Sequence, residues 1–235
     1  MFYHLAWAGT AGEGRDDVAL QIANINYTAD ALLAAARLGC HRFIGIGSQA
    51  EYGRTSKILT PETPAFPETA YGAAKLAAGH LTRLMAKKIG LTHAWVRVLS
   101  VYGPADRAES LVSSAIREMQ VGISPRLTAA TQIWDFLYAK DAAKALFLLG
   151  LHAKAGKTYV LGSGNARPLR EYIEEIRDAV APNLSLQFGD IPFKKGQVMH
   201  LAADISDLTK DTGWLPQISF SDGIRETALW WKGKA

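Results

Sequence analysis

The chain has 235 residues, 49% of them hydrophobic, and a formal net charge of +4. This composition is typical of a folded globular protein and excludes a disordered one, and no apolar run has the length of a membrane span. A single cysteine, Cys40, excludes a disulfide framework and predicts a cytoplasmic location, while the scattered positive charge argues against nucleic-acid binding.

The first half of the chain alternates short apolar runs with amphipathic helical stretches, which predicts a parallel sheet with crossover helices. The predicted elements are strands at residues 2–8, 41–47 and 92–99 and helices at residues 18–39 and 71–90. Asp16 and Asp17 are placed to cap the first helix, and a proline-rich loop precedes the second.

Beyond residue 104 the pattern is looser, but it still indicates helices joined by short strands. The predicted elements are helices at residues 108–121, 141–152, 168–180, 204–212 and 222–232 and strands near residues 157–162 and 184–188. Ser221 is the expected cap of the last helix. The fold class is therefore α/β.

A glycine-containing loop at residues 9–14 (GTAGEG) follows the first strand, where a dinucleotide-binding turn is expected. Such a turn works because its glycines let backbone N–H groups approach a pyrophosphate. Here the carboxylates of Glu13, Asp16 and Asp17 surround the loop and would repel phosphate. We therefore predict an ordinary connecting loop.

Ser48, Tyr71 and Lys75 form the most informative set in the sequence. Lys75 lies one helical turn after Tyr71 and on the same face, and an ammonium close to a phenol favours the phenolate and lowers its pKa from about 10. Ser48 ends a strand, where ligands collect in open α/β sheets. With eight tyrosines in the chain, such a pair also arises by chance, but the strand end, loop and helix start favour proton transfer.

At these residues the chain resembles the extended short-chain dehydrogenase/reductase family, in its nucleotide-sugar epimerase, reductase and dehydratase branch. Residues 47–53 (GSQAEYG) resemble the family's Ser-Ser-x-x-Val-Tyr-Gly motif, and Tyr71 and Lys75 match its catalytic pair. Other segments that resemble family landmarks are residues 3–7 (YHLAW), 24–28 (NINYT), 97–104 (RVLSVYGP), 132–141, 161–164 (LGSG) and 213–216 (GWLP).

The resemblance implies a Rossmann-like doubly wound parallel sheet with a small C-terminal substrate-binding lobe. Family members carry a glycine-rich loop and three strands before the strand that residues 3–7 resemble, so we expect the first βαβ units, about sixty residues, to be lacking here. Residues 1–104 are expected to form a partial dinucleotide-binding domain. Residues 105–235 are expected to form mainly the substrate lobe, with segments that return to the first domain.

The resemblance also assigns roles to single residues. Tyr71 would be the acid/base, Lys75 would tune Tyr71 and bind ribose hydroxyls, and Ser48 would orient the substrate oxygen. The implied cofactor is NAD or NADP, bound weakly for lack of the glycine-rich loop. Implied cofactor contacts are Leu5, Ala6, Trp7, Asn24, Ile46, Tyr71, Lys75 and Leu99. Implied substrate contacts are Ser48, Gln49 and Ser100, of which Ser100 replaces the family's asparagine.

Dehydratases of this branch carry an Asp-Glu pair directly after the catalytic hydroxyl, where this chain has Gln49 and Ala50. Glu51 lies one residue further on and would face the other way in an extended chain. We therefore expect reduction or epimerisation of a 4-keto-6-deoxy nucleotide sugar. The alternative is a catalytically impaired homologue that binds a nucleotide or a partner. The family also implies a homodimer through the helix at 70–89, and the histidines show no metal-ligand spacing.

Overall fold

The computed structural model describes residues 1–234. Its strands are β1 (Phe2–His4), β2 (Arg42–Ser48), β3 (Thr92–Val98), β4 (Ser100–Tyr102), β5 (Ile133–Trp134), β6 (Phe136–Tyr138), β7 (Lys157–Leu161) and β8 (Arg167–Pro168). Its helices are α1 (Val18–Arg37), α2 (Ala70–Ile89), α3 (Leu111–Gln120), α4 (Ala139–His152), α5 (Leu169–Val180), α6 (Ser206–Thr212) and α7 (Phe220–Lys232). Short 3-10 turns at Gly12–Arg15 and Gln49–Glu51 follow β1 and β2.

The main sheet has four parallel strands in the order β1-β2-β3-β7, with helices on both faces. Successive side chains of β2 point to opposite faces, as the pleat requires. Phe43 packs with Leu32 of α1 and Ala86 of α2, whereas Ile44 belongs to the cluster that contains Leu149 of α4. The predicted α/β class with a parallel, doubly wound sheet is thus confirmed.

Capping residues fix where the helices of the first half begin and end. The Asp17 carboxylate accepts a hydrogen bond from Leu20 N at 3.0 Å, and Thr69 Oγ1 accepts one from Gly72 N at 3.1 Å. Helix α2 ends at Gly90, whose φ of +73° lies in the left-handed region that glycine adopts without strain. Tyr71 therefore lies in the first turn of α2.

Strand β1 is shorter than the predicted strand at 2–8, because the chain leaves the ladder after His4. The side chain of Asn24 on α1 takes both backbone groups of Ala8: Oδ1 accepts from its N–H at 3.0 Å, and Nδ2 donates to its carbonyl at 2.9 Å. At Ala8, hydrogen bonds to the Asn24 side chain thus take the place of hydrogen bonds to a neighbouring strand. Leu5 and Ala6 are consequently exposed beyond the carboxyl end of β1.

The second half packs a separate cluster around Ile116 of α3, Ile173 of α5 and Ile224 of α7. Strand β7 joins the main sheet beside β3, while the pairs β4–β6 and β5–β8 form two small sheets that were not predicted. The division into two domains stays a prediction. Within residues 1–234, no helix combines the length and apolarity needed to cross a membrane.

The structure corrects several predicted boundaries in this half. The strand predicted at 184–188 is wrong: its apolar side chains pack on the second cluster, but Leu184 N bonds to Ala181 O in a turn. Helix α7 begins at Phe220 because Ser219, not Ser221, accepts the hydrogen bond from Asp222 N. Helix α7 therefore begins earlier than predicted, whereas helices α3 and α6 begin later, and Ser110 caps α3.

Candidate active site

Ser48, Tyr71 and Lys75 meet at the carboxyl edge of the main sheet. Ser48 is the last residue of β2, and Tyr71 and Lys75 occupy successive turns on one face of α2. The Lys75 ammonium donates a hydrogen bond to the carbonyl of Ile46 in β2 at 2.6 Å. This bond ties α2 to β2 beside the serine.

The Ser48 hydroxyl is held between the turn that follows β2 and the Tyr71 side chain. It caps the 3-10 turn that follows β2, and its Oγ accepts a hydrogen bond from Ala50 N at 3.2 Å. Hydrogen bonding between the Ser48 and Tyr71 side chains favours the phenolate and acts to lower the pKa of Tyr71. The two hydroxyl groups can therefore address the same substrate oxygen.

Burial raises the pKa of Tyr71 above its ordinary value, against the lowering effects of Ser48 and Arg15. The Arg15 guanidinium lies 4.2 Å from the centroid of the Tyr71 ring, whereas Lys75 Nζ lies 5.9 Å from it. The prediction that Lys75 lowers the pKa of Tyr71 is therefore corrected: desolvation dominates, and Arg15 is the cation close to the phenol. No sequence pattern indicated Arg15.

Lys75 is only 4% exposed, and burial lowers its pKa to about 7, with the Glu51 carboxylate acting in the opposite direction. Its ammonium lies 3.8 Å from the centroid of the Trp7 indole. Trp7 is itself fixed, because its Nε1 donates to Gln21 Oε1 at 2.8 Å. Trp7 thus covers the ammonium from the side of β1.

Glu51 is a residue of this site that the sequence analysis did not assign. It is fully buried and accepts hydrogen bonds from Ser48 N at 2.8 Å, Trp95 Nε1 at 2.9 Å and Arg97 Nε at 2.7 Å. Its carboxylate therefore faces the sheet rather than a substrate. The Ser-x-x-Glu spacing of residues 48–51 is a capping box, a signal from which the turn and the inward carboxylate are readable.

A cavity of about 500 Å³ opens beside Ser48. Its lining includes four of the predicted site residues, Ser48, Gln49, Leu99 and Ser100. It also includes three cations that the sequence analysis did not assign, Arg15, Arg107 and Arg126. Ser100 is partly engaged, since its Oγ accepts from Trp134 Nε1 at 2.9 Å. Asp106 also lines the cavity, so three guanidinium groups stand against one carboxylate, and the net positive charge and the size suit an anionic ligand.

Some of the remaining predicted cofactor residues lie at the carboxyl edge of the sheet, and one is buried in an internal contact. Ile46 offers its carbonyl to Lys75, and Leu5 and Ala6 are exposed at the same edge of the sheet. Asn24 is different: it is 3% exposed and both ends of its amide bind Ala8, so it anchors the exit of β1 and does not present a free amide to a ligand. This corrects its predicted role as a direct cofactor contact.

The glycine-containing loop at residues 9–14 folds around Gln21 of α1. The amide nitrogen of Gln21 donates to Gly9 O at 3.0 Å and to Gly14 O at 2.7 Å. A Cβ added at Gly9 would lie 2.6 Å from Gly14 O, so this glycine serves the packing of the loop itself. The geometry agrees with an ordinary loop, because it turns carbonyls toward an internal donor.

A family model described as the NAD dependent epimerase/dehydratase family matches residues 1–162. A dTDP-glucose 4,6-dehydratase of Escherichia coli is 28% identical over 184 residues, which cover 75% of this chain and 51% of that protein. A dTDP-glucose 4,6-dehydratase of Neisseria gonorrhoeae is 28% identical over 204 residues, 81% of this chain and 59% of that protein. The chain spans about half the length of the curated relatives it matches.

Solved structures share the fold. A UDP-N-acetylglucosamine 4-epimerase from Methanobrevibacter ruminantium, in complex with UDP-N-acetylmuramic acid, superposes with a TM-score of 0.91 at 22% identity, over 100% of this chain and 77% of that one. RMD from Pseudomonas aeruginosa, complexed with NADPH, gives a TM-score of 0.88 at 24% identity, over 99% of this chain and 80% of that one.

Proposed function

The chain belongs to the NAD-dependent epimerase/dehydratase family, and from that premise we propose that it acts on a nucleotide-activated sugar with a nicotinamide cofactor. Within that class we propose reduction or epimerisation of a 4-keto-6-deoxy sugar. The observation that carries the proposal is the convergence of Ser48, Tyr71 and Lys75 at the carboxyl edge of the sheet, where Ser48 also lines a positively charged cavity. The similar structures hold NADPH or a nucleotide sugar, which supports both ligand classes.

The donor set beside β2 fits the ribose side of a nicotinamide nucleotide. An ammonium has three N–H groups, and one of those of Lys75 goes to Ile46 O, which leaves donors for ribose hydroxyls. Trp7 covers this ammonium at 3.8 Å and has to turn aside before Lys75 reaches a ribose. The N–H donors of Lys75 therefore suit ribose hydroxyls, and the position of the Trp7 indole controls whether a ribose reaches them.

The nicotinamide cofactor supplies or accepts the hydride. For reduction, Tyr71 gives its phenolic proton to the substrate oxygen, and for oxidation it removes that proton. Ser48 donates a hydrogen bond to the same oxygen and holds it in place. Burial keeps Tyr71 protonated, which suits the direction in which it acts as an acid.

The residues after Ser48 favour reduction or epimerisation over loss of water. Water loss requires an acid and a base at the substrate, and Gln49 and Ala50 supply neither. Glu51, the nearest carboxylate along the chain, is engaged by three donors away from the cavity. The curated relatives are 4,6-dehydratases, so the assay below includes dTDP-glucose to measure dehydration directly.

The proposal is tested by replacing the phenol. Purified chain is assayed for oxidation of NADH and NADPH with dTDP-4-keto-6-deoxyglucose and, separately, for dehydration of dTDP-glucose. Tyr71→Phe is expected to lower turnover at least about a hundredfold, because the acid/base is lost, and to leave the circular dichroism spectrum unchanged. Tyr27→Phe changes an exposed tyrosine of α1 and is the matched control. Turnover of Tyr71→Phe near that of the control contradicts the proposal.

The second candidate is a protein that binds a nucleotide or partner without turnover, and the cover of Lys75 by Trp7 favours it. The two are separated by titrating NAD and NADP against the chain in a calorimeter. Our expectation is weak binding, improved at least about tenfold by Trp7→Leu, because the indole no longer shields the ammonium. Undetectable binding by both variants would leave an enzyme without its cofactor, and it favours the form of the second candidate that binds a partner.

A further inference from the structure

The buried carboxylate of Glu51 joins the short turn that follows Ser48 to the neighbouring strand β3. Its carboxylate sits between the backbone of Ser48 and two side chains of β3, Trp95 and Arg97, which are 44 and 46 residues away in sequence. The carboxylate of Glu51 is 0% exposed, and the Arg97 side chain is 7% exposed. A buried charge of this kind is costly unless each lone pair is satisfied, and here the donors are present.

Gly47 leaves the space that this arrangement needs. A Cβ at position 47 would lie 2.3 Å from both Glu51 Oε1 and Trp95 Nε1. Any larger residue there would force the carboxylate out from under Ser48. The sequence Gly47-Ser48 thus has a physical purpose in this turn: the glycine admits the carboxylate, and the serine N–H binds it at 2.8 Å.

We propose that Glu51 is a positioning residue: its carboxylate fixes Ser48 at the rim of the cavity and anchors the end of β2, whose Ile46 carbonyl accepts the hydrogen bond of Lys75. The functional meaning of Ser48 and Lys75 rests on the proposed function. Glu51 does not touch the substrate, because its carboxylate is engaged on the sheet side of the turn.

The charged and titratable groups around Glu51 come from three elements. Arg97 of β3 pairs with it and also stacks on the Tyr52 ring of the turn, at 4.4 Å from guanidinium carbon to ring centroid. Tyr71 and Lys75 come from α2, and the charge of Glu51 acts to raise the pKa of both. Since burial holds the pKa of Lys75 at about 7, a single neighbouring charge decides the fraction of ammonium near neutral pH.

The test follows the titration of Lys75 by NMR on the whole chain labelled with ¹³C at lysine, with the signal assigned through Lys75→Met. Glu51→Gln is expected to lower the midpoint by about one pH unit, because the carboxylate is lost while the Arg97 cation stays. Simple loosening of the site would hydrate Lys75 and move the midpoint up, toward about 10.4. An unchanged or raised midpoint in Glu51→Gln overturns the proposal.

Asp135→Asn is the matched control, because Asp135 is equally buried and accepts backbone hydrogen bonds from Ser163 and Gly164, away from Lys75. It is expected to reduce stability and leave the Lys75 midpoint unchanged. Should Glu51→Gln not fold, Glu51→Asp decides: it keeps the charge and withdraws the carboxylate from the Ser48 N–H, so the Lys75 midpoint should stay near the wild-type value while kcat falls. A raised midpoint in that variant, the sign of loosening, or an unchanged kcat overturns the proposal.

Turnover supplies the second readout. With the sugar assay described above, Glu51→Gln is expected to lower kcat about a hundredfold with KM nearly unchanged, because a displaced Ser48 misorients the reacting oxygen. An unchanged kcat overturns the positioning of Ser48. If the wild-type chain shows no turnover at all, the proposed function fails, while the Lys75 titration still decides the role of the Glu51 charge.

Discussion

The pKa values of the two ionisable side chains Tyr71 and Lys75 are governed by burial more than by neighbouring charge. Tyr71 and Lys75 both shift toward their neutral forms, since desolvation outweighs the nearby Arg15 and Glu51. The phenol of Tyr71 is neutral, and the pKa of Lys75 is about 7. A proton that passes between these two groups leaves their net charge unchanged. The protonation of the pair is therefore sensitive to any group that rehydrates it.

The same effect predicts an acid-sensitive core at His93. This residue of β3 is 1% exposed, stacks between Phe43 and Trp95, and shares a hydrogen bond with Thr82 at 3.0 Å. Burial, aided by Arg83, lowers its pKa to about 4. Because the unfolded histidine binds a proton near pH 6.5, the stability present above that pH is lost as pH falls toward 4, at up to about 1.4 kcal/mol per pH unit.

Urea unfolding at pH 7 and pH 5 tests this prediction. His93→Phe keeps the aromatic stack and removes the titrating group, so the stability difference between the two pH values should shrink by about 2 kcal/mol. His80→Phe, at an exposed position of α2, is the control and should behave as wild type. An equal pH dependence in all three proteins would show that His93 is not the group responsible.

At the scale of elements, the site depends on how closely α2 approaches the turn after β2. Gly72 is the contact point, because a Cβ there would lie 2.3 Å from the Ala50 carbonyl oxygen. The backbone of the turn cannot move aside without moving Ser48. The glycine beside Tyr71 is therefore required by packing, and it sets the distance between the serine and the phenol.

Gly72→Ala should push the first turn of α2 away from the turn that carries Ser48. We expect a loss of about 1–3 kcal/mol of unfolding free energy from overpacking, and a lower kcat because Tyr71 is displaced. Ala73→Ser, on the exposed side of the same helical turn, is the control. Stability of Gly72→Ala within about 0.5 kcal/mol of that control would contradict the close approach.

At the scale of the whole molecule, one helical layer of the sheet leaves apolar side chains uncovered. Helices α1 and α2 pack side by side, and their outer faces expose several large apolar residues. These are Val18, Ile22, Leu33, Leu81, Leu84 and Ile89. Clustered exposure of this kind is typical of an interface, and it supports the predicted homodimer through α2.

The dimer is checked by light scattering after size-exclusion chromatography. The wild-type chain is expected at twice its 25.5 kDa mass, and Leu84→Asp is expected at the mass of one chain, since a carboxylate would be buried without a partner. Leu229→Asp alters an equally exposed leucine on α7 and should remain dimeric. A wild-type chain of single mass rejects the prediction.

Much of the fold was predictable because its signals are local. Periodicity placed β2, β3, α1 and α2 within a few residues, and the motif around Tyr71 and Lys75 identified the family. The errors have a common cause. Residues 5–8 and 184–188 are apolar enough for strands, but their backbone hydrogen bonds go to Asn24 and to a turn, which periodicity does not reveal.

By itself, the sequence determined the class of fold, the family and the three residues that meet at the carboxyl edge of the sheet, because helical spacing and strand ends are properties of neighbouring residues. Only the tertiary structure decided the pairing of the Glu51 carboxylate with Arg97, the Arg15 cation on Tyr71 and the indole of Trp7 on Lys75. These contacts join residues tens of positions apart. Their electrostatic effects depend on burial, which exists only once the chain has folded.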